Sequence, residues 1–309
     1  MTIAGMPVRP RLVLALLLLS AVIVATGVVI GRHLGHRSSA PEATPGPTQT
    51  AVISPAPPTV SSPPNSAPHE LAPLAADFAR LANQLRADIG VAASAEGSTQ
   101  SPSTLGNWQP GPAWSTIKVP LTIAALRQQD PPPATDAMRA AITESDNAAA
   151  ESIWQGLGDP VSAAHKVEAV LREAGDFTTV QSQKVRPEFT AFGQTDWSLT
   201  DQARFLAFAA CDNRNKPIFA LMGQVEPDQR WGIGTVAGTR FKGGWGPSIS
   251  GSYLVRQIGL LSGPNGTTAV AIAAQPASGS FADGTRDLTA ISDWLSAHMT
   301  SLPAGHCEG

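Results

Sequence analysis

The sequence predicts an α+β domain in which an antiparallel sheet, built from both ends of the globular part, packs against a helical middle. Strand-like apolar patterns occur near the beginning and near the end of residues 71–302, and helical spacing dominates about 115–225. Strands that open and close a chain around a run of helices are typical of α+β domains.

The predicted elements follow one another in a simple order. Residues 71–85 have apolar side chains at helical spacing, and two short strands, 89–94 and 104–108, follow around a turn. Five helical patterns make up the middle: 119–127, 134–143, 148–156, 161–174 and 200–210. The chain then returns to strands and ends on an amphipathic helix, at 239–242, 252–261, 267–274 and, for the helix, 288–298.

The first 70 residues predict a membrane anchor and a spacer that precede the domain. Residues 12–30 form a run of 19 residues without a charge, close to the length that a membrane-spanning helix needs. We expect 1–37 to comprise a cytoplasmic tail and a transmembrane signal anchor at about 12–30; a cleaved signal peptide and secretion are the alternative. Residues 38–70 are rich in Pro, Ser and Thr, which predicts a disordered stalk. The domain would then lie outside the cytoplasm in the cell envelope, held at the plasma membrane by a single pass, with 303–309 as a tail.

Composition excludes several classes of function. The formal net charge is −3 and only 15% of the residues are charged, so the chain lacks the basic surplus that binding nucleic acid requires. The sequence has no H-E-x-x-H pattern and only two cysteines, so no metal ion or other cofactor is expected. Cys211 and Cys307 both lie beyond the anchor, on the oxidising side, where either an intramolecular disulfide or two free thiols fits the sequence.

A serine and a lysine three residues apart indicate one way to activate a nucleophile. In Ser115-Thr116-Ile117-Lys118 the hydroxyl and the amine lie on one face of a helix. The apolar residues that follow predict that this helix is buried, and burial favours the neutral form of a lysine. Neutral Lys118 could take the proton of Ser115, and free N–H groups at the start of the helix could stabilise an oxyanion.

Two further short motifs follow in the sequence. Ser145-Asp146-Asn147 opens the helical pattern 148–156, where an ordinary N-cap is the alternative to a catalytic role. Lys242-Gly243-Gly244 ends a strand pattern, where the alternative is a surface turn. In this order the three motifs resemble S-x-x-K, S-D-N and K-[TSG]-G of the penicillin-binding protein and serine β-lactamase superfamily. The segments around the first two motifs are similar to those of class A β-lactamases.

The resemblance covers about residues 71–302 and implies a β-lactamase/transpeptidase-like fold that works through a serine acyl-enzyme. Ser115 would be the nucleophile and Lys118 its base, whereas Ser145 would pass a proton to the leaving nitrogen. Asn147 would bind a substrate amide. Lys242 would bind a substrate carboxylate and polarise Ser145.

The resemblance also implies further substrate-binding groups. The backbone N–H groups of Ser115 and Trp245 would form the oxyanion hole, and Gly244 would lie beside it in the same substrate-binding strand. Arg256 matches a position that often contacts the substrate carboxylate; a solvent-facing strand arginine is the alternative.

Two departures from the family pattern bear on substrate and turnover. Ser115 and Ser145 are only 30 residues apart, which implies a shortened helical half and the loss of part of one cleft wall. Glu188 occupies the region of the deacylating glutamate of class A β-lactamases, but the leucine and asparagine of E-x-x-L-N are missing after it. Glu188 is therefore a candidate deacylation base in a site from which efficient antibiotic hydrolysis is not expected.

These observations predict a membrane-anchored serine acyl-hydrolase or transferase that acts on D-alanyl peptides or β-lactams. Its partners would be the peptidoglycan stem peptide or a β-lactam as substrate, and the membrane through the N-terminal helix. Two other functions remain open: a non-catalytic envelope module that keeps the penicillin-binding fold, and a general serine esterase that tolerates substrates without a carboxylate.

Overall fold

The computed structural model describes residues 71–108, 110–130 and 133–308. The predicted anchor at 12–30 and the predicted stalk at 38–70 lie outside these residues. Within the described part of the chain, no helix combines the length and the apolar character that crossing a membrane requires.

Five antiparallel strands form one sheet, to which both ends of the domain contribute. The strands are β1 (Ala87–Ala95), β2 (Ser103–Gly106), β3 (Arg240–Pro247), β4 (Tyr253–Gly263) and β5 (Gly266–Pro276). Their spatial order is β2-β1-β5-β4-β3. The N-terminal hairpin therefore joins the C-terminal strands through the pairing of β1 with β5, which confirms the predicted α+β arrangement.

Eight α-helices surround this sheet in the described residues. They are α1 (Leu71–Gln84), α2 (Lys118–Leu126), α3 (Asp136–Thr143), α4 (Asn147–Gly156), α5 (Pro160–Glu173), α6 (Leu199–Ala209), α7 (Lys216–Met222) and α8 (Phe281–Ala297). Short polar side chains begin several of them, since Thr135, Asp159 and Ser198 each accept a backbone N–H of the first turn.

Two hydrophobic cores cover the two faces of the sheet. Side chains of a strand alternate between faces, and in β5 the small residues Ala269, Ala271 and Ala273 face the core formed with α2–α7. Val270 and Ile272 face the other core, which includes residues of α1 and α8. The alanines let α6 pack closely on the sheet, so the helical middle rests directly on β5.

The differences from the predicted elements have local causes. Helix α7 was not predicted, because it is only 7 residues long and has a proline at its start. Strand β3 was predicted to end at residue 242, but it continues through glycines to Pro247. The last helix begins at Phe281, earlier than predicted, and includes Gly284, a residue that is more common in loops. A Cβ on Gly284 would lie 2.5 Å from Val255 Cγ2, so this glycine permits close contact between helix and sheet.

A disulfide bond joins Cys211, just after α6, to Cys307 in the C-terminal tail. Of the two alternatives open from sequence, the structure therefore shows the disulfide. The tail also bonds to the start of β5, where Thr267 and Gly305 form a β-bridge and the Thr268 hydroxyl donates to Pro303 O. The bond thus ties the end of the chain to the helical half across 96 residues.

Reduction of this disulfide should destabilise the domain. A cross-link across such a long loop restricts the unfolded chain, so we expect its removal to lower the free energy of unfolding by about 2–4 kcal/mol. Denaturant unfolding with and without a reductant measures the change. The double variant Cys211→Ser/Cys307→Ser is the control, since it should be equally destabilised and insensitive to reductant. Equal stability of the wild type in both conditions would contradict the expectation.

Candidate active site

Ser115 lies in a short 3-10 helix, Trp114–Ile117, that leads directly into α2. Trp114 has a φ of 48°, in the left-handed region that bulky residues seldom adopt. Its ring packs over Gly246, where a Cβ would lie 2.5 Å from the indole, and meets the ring of Phe189 edge-on at 5.0 Å. Packing on both sides therefore holds the strained turn that presents Ser115.

Lys118 is the first residue of α2 and is almost completely buried, with 1% of its surface exposed. Burial lowers the pKa of its amine to about 7. Its Nζ donates to Ser145 O at 2.5 Å and to Asn147 Oδ1 at 2.8 Å. A neutral amine has two N–H groups and one lone pair, so these two bonds leave the lone pair available to accept a proton.

The Ser145-Asp146-Asn147 motif forms the turn between α3 and α4. Asp146 supplies the N-cap of α4, because its carboxylate accepts the N–H of Ala149 at 2.7 Å. Ser145 has a φ of 60°, in the left-handed region, and its carbonyl and hydroxyl both contact buried lysines. Asp146 is thus an ordinary N-cap, whereas Ser145 and Asn147 contact Lys118.

Lys242, in β3, approaches Ser145 from the opposite side and is completely buried. Its Nζ donates to Ser145 Oγ at 2.8 Å and to Gly243 O at 2.9 Å. Burial lowers the pKa of this amine well below its usual value, and the positive charge of Lys118 lowers it further. Ser145 therefore lies between two buried amines, with Lys118 on its carbonyl and Lys242 on its hydroxyl.

Gly244 fixes the distance between β3 and the turn that carries Ser115. A Cβ at this position would lie 2.9 Å from each of Ala113 O, Ser115 N and Thr116 N, so only glycine permits the contact. The next residue, Trp245, lines the same cleft as Ser115. The two residues predicted to form the oxyanion hole therefore share one wall, and their role in binding an oxyanion remains a prediction.

The cleft at Ser115 has a volume of about 200 Å³. It is lined by Trp114, Ser115, Asn147, Phe189, Thr190, Gly193, Trp245, Gly246, Pro247 and Tyr253. The sequence analysis assigned no binding role to Trp114, Tyr253 or the loop residues 189–193. Proximity to Ser115 in sequence was a usable signal for Trp114, whereas the loop and Tyr253 reach the cleft only through the tertiary fold.

Arg256, predicted to contact a substrate carboxylate, does not line the cleft at Ser115, and that role stays a prediction. The side chain has no exposed surface, and its guanidinium donates to the carbonyls of Gly111, Pro112 and Trp197 at 2.8–3.0 Å. It also lies over the ring of Trp108, 5.1 Å from the centroid. The same burial lowers its pKa to about 9, and it contradicts the alternative of a solvent-facing arginine. Arg256 instead ties the segment before Ser115 to the segment before α6.

Glu188, the candidate deacylation base, lies outside the cleft at Ser115, and its role stays a prediction. Its side chain is 57% exposed, its carboxylate pairs with Arg186 at 3.1 Å, and it does not line the cleft. Gln194 closes the loop, since its side chain accepts the N–H of Arg186 at 2.8 Å and donates to the carbonyl of Arg186 at 3.1 Å. Phe189 and Thr190 occupy the cleft wall instead.

Solved structures with the same fold are found, but their sequences are only distantly similar to this chain. No family model matches the chain, and no curated protein matches it. A class A β-lactamase from Mycobacterium abscessus is similar in structure, with a TM-score of 0.58 and 16% identity over 73% of this chain and 99% of that one. A class A β-lactamase from Bacteroides cellulosilyticus has a TM-score of 0.60 and 14% identity over 73% of this chain and 96% of that one.

A β-lactamase from Streptosporangium roseum is similar over 75% of this chain and 100% of that one, with 16% identity and a TM-score of 0.56. These alignments span nearly the whole length of each solved structure at low identity, so what they share with this chain is the fold. The described domain has a β-lactamase-like fold.

Proposed function

We propose that this chain is a serine acyl-hydrolase or acyltransferase of the β-lactamase and penicillin-binding kind, with Ser115 as the nucleophile. The burial of Lys118 and the low pKa of its amine are the main support for this proposal. The amine of Lys118 is buried, the pKa of that amine is about 7, and two hydrogen bonds hold it on Ser145 and Asn147. A base with a pKa near neutrality is suited to proton transfer at physiological pH.

Acylation would begin with attack of Ser115 Oγ on the carbonyl carbon of the acyl donor. The serine proton moves to the lone pair of Lys118, and N–H groups at the start of the nucleophile turn stabilise the oxyanion. The bond between the acyl carbon and the leaving group then breaks. Ser145 gives its hydroxyl proton to the leaving atom and regains a proton from Lys118, which returns to its neutral form, so one proton moves in total from Ser115 to the leaving group.

Deacylation would depend on the same lysine. Because Glu188 does not line the cleft, we assign the activation of water or of an acceptor amine to Lys118, whose pKa is about 7. We therefore expect a slow second half-reaction and an acyl-enzyme that accumulates.

We further propose that the acyl donors are D-alanyl peptides or β-lactams and that the enzyme acts in the cell envelope. The three motifs support this choice, and the amide of Asn147 lines the cleft, with its Oδ1 held by Lys118. The charge-free segment 12–30 supports an anchor in the membrane. Incubation of the full chain with an acyl donor, followed by intact mass spectrometry over time, tests acylation and its lifetime together.

Removal of either proposed reacting group should abolish acylation by an activated ester. We expect Ser115→Ala to eliminate the adduct and Lys118→Ala to slow its formation by about 10²–10⁴-fold, the usual contribution of a general base. Stopped-flow release of the leaving group measures both rates. His165→Ala is the matched control, because His165 lies on α5 outside the cleft. An unchanged rate in Lys118→Ala would contradict the assignment of the base.

The rate of acylation should follow the protonation of Lys118. Only the neutral amine accepts a proton, and the pKa of Lys118 is about 7. The second-order acylation rate should therefore rise with pH through this value, level off above it, and fall about tenfold per pH unit below it. A neutral ester as acyl donor keeps the substrate charge constant across the profile. A rate that does not change between weakly acidic and weakly alkaline pH would contradict the proposal.

The two adjacent glycines of β3 should respond differently to substitution. Gly244→Ala places a methyl group 2.9 Å from the backbone of the nucleophile turn, so we expect acylation to fall by at least about 10²-fold. Gly243→Ala is the control, because its Cβ would lie 3.2 Å from the end of the Trp231 ring, which can shift. We expect only a small loss there. Similar acylation rates for the two variants would contradict the inferred contact.

A further inference from the structure

A second concave site lies where the end of α5, the loop after it and α6 meet the turn after β1. Its volume is about 760 Å³, within the range that small organic ligands occupy. Its lining residues are different from those of the cleft at Ser115, and they include two phenylalanines, three charged side chains and three hydroxyls. The site therefore combines apolar rings with polar groups in a cavity of ligand size.

The two phenylalanine rings of this cavity are unusually accessible. Phe177, in the loop after α5, is 78% exposed, and Phe208, in α6, is 39% exposed. Two large apolar side chains from separate elements thus leave surface uncovered in one concavity. An accessible aromatic face is suited to packing against a ring of a ligand.

A buried carboxylate holds the backbone that carries Phe177. Asp176 has no exposed surface, and its carboxylate accepts the indole N–H of Trp197 at 2.7 Å and the backbone N–H of Thr178 at 2.9 Å. The N–H of Asp176 in turn donates to Leu171 O at 3.1 Å. These bonds fix the chain on both sides of Phe177. Its exposed ring therefore lies on an ordered turn, and a ligand that packs on it costs little backbone ordering.

The charged groups of the lining are paired with oppositely charged neighbours. Arg204 pairs with Asp201. Glu173 accepts N–H groups from Arg127 at 2.6 Å and from Arg214 at 3.3 Å. Each carboxylate oxygen has two lone pairs and a guanidinium has five N–H groups, so these pairs can bond further partners. The cavity thus presents hydrogen-bond donors and acceptors side by side.

We infer that this cavity binds a neutral saccharide, with a sugar ring packed on Phe177 or Phe208 and its hydroxyls bonded to Glu173, Asp201 and Arg204. A sugar ring has an apolar C–H face, and each hydroxyl at its edge both donates and accepts, which matches the mixed lining. Hydroxyls replace the hydrogen bonds that the paired charges make with water, whereas an apolar ligand would leave these groups unsatisfied. The inference goes beyond the proposed function and does not depend on it.

Calorimetric titration of the full chain with neutral trisaccharides tests this inference. Cellotriose, maltotriose and triacetylchitotriose differ in linkage and substituents, and we expect saturable binding of at least one of them. Phe177→Ala should weaken that binding about tenfold, the usual effect of losing a packed aromatic ring. Ile249→Ala is the matched control and should bind as the wild type does, because Ile249 is 95% exposed and does not line this cavity.

Two results would overturn the inference. One is the lack of saturable binding of all three trisaccharides at millimolar concentration. The other is equal affinity in Phe177→Ala and Ile249→Ala, which would place the saccharide elsewhere on the chain. Phe208→Ala provides a second variant from another element and should also weaken binding. Ser115→Ala should bind the saccharide as the wild type does, so the inference and the proposed acyl chemistry fail or succeed separately.

The charge of the ligand is tested in the same titration. Affinity for a neutral saccharide should change less than about twofold between low salt and about 0.5 M salt, because screening acts only on net charges. Trigalacturonate, an anionic trisaccharide, should bind no more tightly than the best neutral one. Tighter binding of trigalacturonate that weakens with salt would identify an anion site and overturn the assignment of a neutral ligand.

Discussion

The site depends on the burial of two lysine amines on either side of Ser145. A pKa of about 7 for Lys118, instead of 10.5, means that the fold disfavours its charged form by about 5 kcal/mol. Such a group is tolerated only where its N–H donors are satisfied. The carbonyl and hydroxyl of Ser145, the amide of Asn147 and the carbonyl of Gly243 provide these acceptors. The position of Ser145 is therefore set by the requirement that two buried amines be bonded.

The architecture brings together three parts of the chain that are distant in sequence. Lys118 begins a helix in the helical half, Ser145 occupies the turn between α3 and α4, and Lys242 comes from the edge strand of the sheet. Gly244 lets that strand contact the nucleophile turn, and Arg256 secures the segment that precedes the turn. These contacts join the nucleophile turn, the turn at Ser145 and strand β3, and they hold Ser115 and its neighbours in a fixed geometry.

The sequence was sufficient for the fold class and for the residues that carry short motifs, because both depend on local patterns. Strands at both ends of the domain were readable from apolar alternation, and Lys118 was readable from its distance to Ser115. The orientation of Arg256 could not be predicted, because strand periodicity allows either face and only the carbonyls of Gly111 and Trp197 decide it. The position of Glu188 outside the cleft could not be predicted either, because the bonds between Gln194 and Arg186 that shape its loop depend on the tertiary fold.

The proposed chemistry requires Ser115 to be an activated nucleophile. Reaction of the full chain with an uncharged fluorophosphonate ester, followed by peptide mapping with mass spectrometry, tests this requirement. We expect a single adduct on the peptide that contains Ser115, formed faster above the pKa of Lys118 than below it. No adduct at saturating reagent, or an adduct on another residue that persists in Ser115→Ala, would contradict it.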